Sequence, residues 1–461
     1  MTHRMTTLKI VNPADGSPIA EVPADDAASI AAKAARARAA QPAWNATPLA
    51  DRIAVMTRFR ASAASELETL ATTLTMEVGK PLAQSRNELN GFLGRIDFFL
   101  AEVTKATAPE TVFGDASVTE RIDHDPLGVV ANVSAWNYPY FVGGNVFVPA
   151  LLTGNAVLYK PSECATLTGL HIDRLLHAAG VPADVFITLV GTGEVGAALL
   201  EQTVDGVFFT GSAATGAKIA TQMGPRMVRL QLELGGKDPT YVADDADPKA
   251  AAESLADGAM YNTGQSCCSV ERIYVHEKIH DAFVDHFLAT VAGFKAGDPL
   301  ADGTYIGPLT RAPQLAVLDG QVADAVAKGA TLRAGGKRVE KAGNWFEPTV
   351  LTGVDHTMAV MRDESFGPII GIQKVADDDE ALALMNDTRY GLTAGMYTPN
   401  EARAAKLLSK VNAGSIYWNC CDRVSPRLPW SGHGDSGVGV TLSSYGIQAF
   451  TRPRAWHLRK G

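Results

Sequence analysis

Cysteine is scarce in this sequence: there are five in 461 residues, four of them in the adjacent pairs Cys267-Cys268 and Cys420-Cys421. A disulfide framework is excluded by that count in a chain of this size, and a reducing compartment is the simpler expectation. Long hydrophobic runs are also missing. The longest, Val146 to Tyr159, is broken by Pro149, Gly154 and Asn155 and is too short to span a bilayer. The N-terminal stretch leading into Leu8 to Pro13 lacks the apolar core of a signal peptide. The expected location is therefore the cytoplasm, without a membrane partner. Positive charge is not in excess, since the formal net charge is -9, which argues against an electrostatic grip on nucleic acid. No zinc-type Cys or His spacing occurs, and no metal is expected. Internal repeats and low-complexity tracts are absent.

What remains is ordinary globular composition, 46% hydrophobic and 20% charged, in a chain long enough for two or three domains. Residues 8 to 22 read as a hairpin turning at Asn12 to Gly16. Helical stretches follow at about 24 to 40, 48 to 78 and 81 to 104, punctuated by Pro42, Gly79 and Pro81. Residues 115 to 124 carry β-branched Val118, Thr119 and Ile122 among polar neighbours, as an edge strand does. From 126 onward, short apolar strands near 128–133, 156–160, 186–190, 206–210 and 227–234 alternate with helices near 143–153, 166–179, 194–202 and 214–223. That alternation predicts a mostly parallel, doubly wound sheet. A second alternating series after 240 predicts another α/β domain. The tail contains an extended stretch near Thr451 to Leu458, expected to pair with the 115–124 strand of a partner subunit.

Ligands on such sheets bind beyond the carboxyl ends of the strands, which draws attention to Asn137, Lys160 to Glu163, Gly191 and Gly211. Within Gly206-Val-Phe-Phe-Thr-Gly211-Ser-Ala-Ala-Thr-Gly216, a strand, a glycine turn and a helix start let backbone amides approach a pyrophosphate. Glu233 ends an alternating strand beside Gly235-Gly236, where partial burial raises a carboxyl toward the range of a general base. Further on, the stretch Asn262-Thr-Gly-Gln-Ser-Cys267-Cys268 puts thiols in a loop just past an expected helix, 249–262. A free Cys taken alone is more often a small core hydrophobe than a nucleophile. Its surroundings reverse that reading, and Cys267 is the candidate nucleophile.

Several of these segments resemble motifs of the aldehyde dehydrogenase superfamily: Gly264-Gln-Ser-Cys267, Glu233-Leu-Gly-Gly-Lys237, Phe209-Thr-Gly-Ser212, Lys160-Pro-Ser-Glu163, Trp136-Asn137-Tyr-Pro139 and Glu364-Ser-Phe366-Gly-Pro368. The likeness covers nearly the whole chain. Near the end it weakens, because Trp430-Ser431-Gly432 and Gly437-Val-Gly-Val-Thr441 depart from the family's usual glycine-rich and Arg-Glu pattern. The resemblance implies an α/β fold of two doubly wound parallel-sheet domains plus a small oligomerisation β-arm. Residues 1–107 and 127–232 would form a Rossmann-like cofactor domain, 233–440 a catalytic thiol domain, and 108–126 with 441–461 the oligomerisation segments.

It also implies roles. Cys267 is the nucleophile, Glu233 the base that activates the hydrolytic water, and Asn137, with the Cys267 backbone N–H, the oxyanion hole. The cofactor-binding set is Trp136, Lys160, Ser162, Glu163, Gly191, Gly211, Ser212, Gly216, Leu234, Glu364 and Phe366. NAD is favoured over NADP, because Glu163 accepts hydrogen bonds from a ribose 2'-OH and repels a 2'-phosphate. The substrate tunnel would be lined by Phe141, Asn145, Ser266, Cys268, Val424 and Trp430, whose aromatic walls suit an apolar or aromatic aldehyde. Arg423 or Arg427 anchoring the carboxylate of a semialdehyde is the alternative. A coenzyme A-acylating enzyme and a catalytically silent relative are the other readings. Glu233 speaks against the first of these, and the intact nucleophile and base against the second. A homodimer or homotetramer is expected.

Overall fold

The computed structural model describes residues 6–460; the N-terminal Met1 to Met5 and Gly461 lie outside the described residues. Two large sheets organise the molecule. In the first, Phe186–Thr188, Ala156–Lys160, Val129–Val133, Gly206–Thr210 and Arg229–Glu233 run parallel, and Gly437–Val438 adds an antiparallel edge beside Glu233. That edge segment falls in the stretch expected to lie within the second domain.

Alternation along each strand explains why helices cover both faces of this sheet. Val129, Ala131, Ala156, Leu158, Val207 and Phe209 pack into one apolar cluster with Ile30, Ala37 and Leu199. Val130, Val157, Tyr159 and Phe208, one residue out of step, enter another with Phe147, Leu151 and Leu176. Successive strand residues point to opposite faces, so a run that is apolar at every position must be buried on both. Each large side chain so buried contributes about 1.5–3 kcal/mol.

The second sheet has the order Thr331–Ala334, Thr349–Thr352, Ile369–Val375, Val270–His276, Asp238–Val242, Thr393–Tyr397 and Ser415–Trp418, all parallel except the first. It obeys the same rule: Tyr241, Tyr274 and Leu351 face one cluster, and Val242, Ile273, Val275 and Val350 the other.

Three expectations need correction. The helix expected over 48–78 is two helices, Leu49–Ser65 and Leu67–Val78, broken at Glu66, where φ is -105° and ψ is 14°. Pro42, expected as punctuation, lies inside Ala27–Ala46, because the helix continues four residues beyond it. The tail strand Thr451–Arg459 pairs antiparallel with Val118–Pro126 of its own chain, not of a partner, with Glu110–Gly114 as the third strand. A connection short in space makes the intrachain pairing available: Phe450 stacks on Phe208, with centroids 4.3 Å apart, and delivers the tail to the end of Val118–Pro126.

Candidate active site

The thiol loop begins as the helix Pro248–Met260, capped by Asp247, whose carboxylate accepts from Lys249 N and Ala250 N. Proline at the first helical position loses nothing there, and Leu255, Ala259 and Met260 bury one face. The helix ends abruptly. Asn262, Thr263 and Gly264 all take positive φ, at 53°, 58° and 70°. Left-handed geometry costs non-glycine residues on the order of 1–2 kcal/mol each, so the turn needs external hold. Gln84 accepts from Asn262 N at 2.9 Å, Asn262 Nδ2 donates to Gln265 O at 3.1 Å, and Gln265 Oε1 accepts from Thr310 N at 2.9 Å. Thr263 Oγ1 both donates to Gly307 O and accepts from Gly307 N. At Gly264 only a glycine fits, since a Cβ would lie 2.1 Å from Gly367 O. These bonds present Cys267, three residues on from Gly264, to a cavity of about 620 Å³.

Cys267 and Glu233 line this cavity together, Glu233 from the end of a strand of the first sheet and Cys267 from the loop that leads into a strand of the second. All six residues expected in the substrate tunnel line it as well: Phe141, Asn145, Ser266, Cys268, Val424 and Trp430. Asn137 is buried close by, its side-chain amide donating to Gln265 O at 3.1 Å, two residues before the thiol. Glu233 is inaccessible enough that burial pushes its carboxyl above the usual range, while a hydrogen bond from the Thr441 hydroxyl and the charge of Arg95 pull the other way. Cys268 donates to Asp422 Oδ1 at 2.9 Å, and burial pushes Asp422 up to about 7. Arg423 and Arg427 are exposed at the cavity mouth.

On the other side of the thiol loop lie the expected cofactor residues. Trp136 and Phe366 meet edge to face, with centroids 5.6 Å apart. Glu364 accepts from Gly236 N at 3.1 Å, and its buried carboxyl is raised to about 7 by desolvation and by the neighbouring Glu271 charge. The Gly235-Gly236 pair is needed there. A Cβ on Gly235 would meet Glu364 Oε1 at 2.4 Å, and one on Gly236 the Cys267 carbonyl at 2.9 Å. Behind them the buried Lys237 ammonium bonds Glu271 at 2.6 Å and the Ser365 hydroxyl at 3.0 Å, and Glu271 accepts from Ser365 N and Phe366 N.

The remaining members cluster at the carboxyl ends of the first sheet. Lys160, almost fully buried, bridges Glu163 at 3.4 Å, and Ser162 caps the short turn Glu163–Ala165. Ser212 caps Ala213–Met223, accepting from Thr215 N at 3.3 Å, with both hydroxyls exposed at that helix start. Gly191 and Gly211 are turn residues where a Cβ would meet Val195 at 2.3 Å and Phe209 at 2.4 Å, and Gly216 packs directly beneath Leu234. A helix N-terminus with exposed hydroxyls, a buried Lys and a half-exposed Glu, all at the carboxyl ends of one parallel sheet, fit a dinucleotide's phosphates and ribose.

Over residues 1–456 the chain matches the model of the Aldehyde dehydrogenase family. It belongs to that family. The 3,6-anhydro-alpha-L-galactose dehydrogenase of Streptomyces coelicolor is 35% identical over 98% of this chain and 93% of that protein. A succinate-semialdehyde dehydrogenase [NADP(+)] of Deinococcus radiodurans is 34% identical over 96% and 93%. Among solved structures, that of 3,6-anhydro-L-galactose dehydrogenase in complex with NAP superposes with a TM-score of 0.94 at 32% identity, covering 98% of this chain and 96% of that one. The protein is thus an NAD(P)-dependent aldehyde dehydrogenase acting on a small aldehyde.

Sequence reasoning missed several residues of the site, among them Asp422. Thr441 sits where the sequence departs from the family pattern, yet it is the hydroxyl bonded to Glu233. Lys80 and Glu88 form a fully buried ion pair, with Glu88 accepting from Tyr140 N and Lys80 lying 3.7 Å from the centre of the Tyr138 ring. Arg95 lines the cavity from Leu82–Ala106. The signal for Arg95 was present in the spacing: Asn87, Gly91, Gly94 and Arg95 share one helical face, two of them glycines.

Proposed function

We propose that the enzyme oxidises its aldehyde hydrolytically, with Cys267 as nucleophile and Glu233 as base, and prefers NAD. The observation that carries this reading is the shared cavity of Cys267 and Glu233. The Cys267 thiolate adds to the carbonyl carbon, forming a C–S bond and an oxyanion that would accept from the Asn137 amide and the Cys267 N–H. Bound NAD(P) supplies the acceptor for the hydride that leaves the resulting thiohemiacetal carbon. Collapse of the oxyanion gives a thioester on Cys267. Glu233 then removes a proton from water, the hydroxide adds to the thioester, and the C–S bond breaks to release the carboxylic acid and the thiolate.

Support for the base comes from its environment. Burial raises Glu233 toward the working pH, so that it takes up a proton more readily than an exposed carboxylate does. A base held beside the thioester would waste an intermediate destined for coenzyme A, which favours hydrolysis. Glu163 supports NAD: it is the partly exposed carboxylate beside Lys160, and a 2'-phosphate placed there would meet its charge. The division into a cofactor domain, a thiol domain and an arm, assembly as a homodimer or homotetramer through that arm, and a cytoplasmic location belong to the same proposal. All five cysteines are free thiols, in keeping with a reducing compartment.

The test is coenzyme A-free reduction of NAD or NADP by purified protein with an aldehyde panel, comparing wild type with Cys267→Ala. Thiol-dependent reduction with a higher kcat/KM for NAD supports the reading, and reduction only with coenzyme A present defeats it.

A further inference from the structure

Resting on that reading, we infer that Arg95 is the group that selects the substrate, by binding a carboxylate at the far end of the aldehyde from the carbonyl. Arg95 is 6% exposed and lines the cavity that holds Cys267. Its Nη1 donates to Asn145 Oδ1 at 2.9 Å, and its guanidinium carbon lies over Phe141, 3.7 Å from the ring centre. Those two contacts hold the head group in place. Gly91, one turn earlier on the same helix, makes room for the ring, since a Cβ there would meet Phe141 Cζ at 2.6 Å. The Nε and Nη2 edge makes no hydrogen bond to any described residue, and no described carboxylate forms an ion pair with Arg95.

An ionised group so buried is normally paired, because losing hydration without a partner is costly. The charges of Glu233 and Glu88 favour the Arg95 cation from a distance without forming an ion pair with it, and each carboxylate around the cavity holds another partner. Glu88 is bonded to Lys80 and to Tyr140 N, Glu233 to Thr441, Asp257 to the Tyr305 hydroxyl, and Asp422 to the Cys268 thiol. Burial lowers the guanidinium to about 10, leaving it charged at neutral pH. A planar fork with one edge open, aimed into an aldehyde cavity, matches a carboxylate bidentately. The anchor expected from the sequence was Arg423 or Arg427, but those side chains are exposed to solvent at the mouth, where an ion pair is worth little. The cavity's aromatic walls, Tyr138, Phe141 and Trp430, then cover the methylenes between the two ends of a semialdehyde.

The experiment compares kcat/KM for an aldehyde ending in a carboxylate with that for the methyl ester of the same length. Wild type is expected to favour the acid by at least tenfold. Arg95→Gln should bring the ratio of acid to ester kcat/KM within that variant to about one, whatever its effect on both rates through Glu233, and Arg95→Lys should restore part of the ratio. Equal rates in wild type, or an unchanged preference in Arg95→Gln, overturns the inference. A readout independent of turnover uses wild type alone. Succinate or glutarate should slow iodoacetamide alkylation of Cys267 while the corresponding diamides do not, and equal effects of acid and amide overturn it even should Arg95→Gln fail to fold. Failure of the parent reading looks different: neither charged nor neutral aldehyde then reduces NAD(P).

Discussion

Glu233 and Thr441 are set against each other. Desolvation raises the carboxyl, and the Thr441 hydroxyl donates to it and lowers it. Deacylation by a general base requires the ionised form, so the rate falls as pH drops through the raised pKa. Thr441→Val removes the donor, leaves burial in place, and is expected to move the acidic limb of the kcat profile to higher pH. An unmoved limb would show that Glu233 does not titrate in turnover. Glu233→Gln is expected to retain a burst of NADH, formed before deacylation, while steady-state turnover drops on the order of 10²–10⁴-fold, as the loss of a general base does. Rapid-mixing absorbance measures both. At the cofactor, Glu163→Gln removes the charge that opposes a 2'-phosphate, so the ratio of kcat/KM for NAD to that for NADP should narrow. An unchanged ratio would remove Glu163 from the ribose site. Cys267 and Glu233 were legible in the sequence because each sits in a short motif, whereas the six tunnel residues came from the resemblance to the family, and the structure sets them around the same cavity. Arg95 and Thr441 were not legible, since what matters about them is which side chain they meet across the fold.

Among the elements, the turn Asp363 to Pro368 depends on a partner from another strand. Phe366 has φ of 47°, a left-handed value, and Glu271 from Val270–His276 holds Ser365 N and Phe366 N in place. Lys237 neutralises Glu271 in the interior. Lys237→Met leaves that carboxylate buried without its cation, and breaking such a pair costs about 3–5 kcal/mol. Denaturant unfolding should register the loss, and a change under about 1 kcal/mol would mean that the pair is replaceable. Alternating apolar strands made both parallel sheets readable in advance. The strand Asp238–Val242 was not foreseen, because its start, Asp-Pro, reads as a loop; here Asp238 is bonded to Thr393 N and to the Thr393 hydroxyl of the neighbouring strand. The break at Glu66 escaped for a related reason, as Leu, Glu and Ala favour helix on both sides of it.

On the scale of the whole molecule, the tail strand closes a three-stranded sheet on its own chain, and each outer strand has one edge without a neighbour among the described residues. Glu110–Gly114 is exposed throughout, with Val112 and Phe113 each about half exposed. Unpaired edges with apolar side chains are the features that oligomers cover. Phe113→Lys is expected to shift the sedimentation coefficient toward a smaller species if the arm joins subunits, and an unaltered coefficient would place the contact elsewhere. Sequence periodicity revealed the arm strand but not its partner, because an intrachain and an interchain pairing carry the same pattern.

In the proposed function one thiol, from the loop before Val270–His276, and one carboxylate, at the end of Arg229–Glu233, meet in one cavity and turn an aldehyde into an acid. The most direct test is single-turnover mixing of enzyme, NAD and aldehyde without coenzyme A, followed by mass spectrometry of the intact chain. An acyl adduct on Cys267 is expected to accumulate in Glu233→Gln, to clear in wild type, and never to form in Cys267→Ala. An adduct on another residue, or one that clears equally fast without the Glu233 carboxylate, would contradict it.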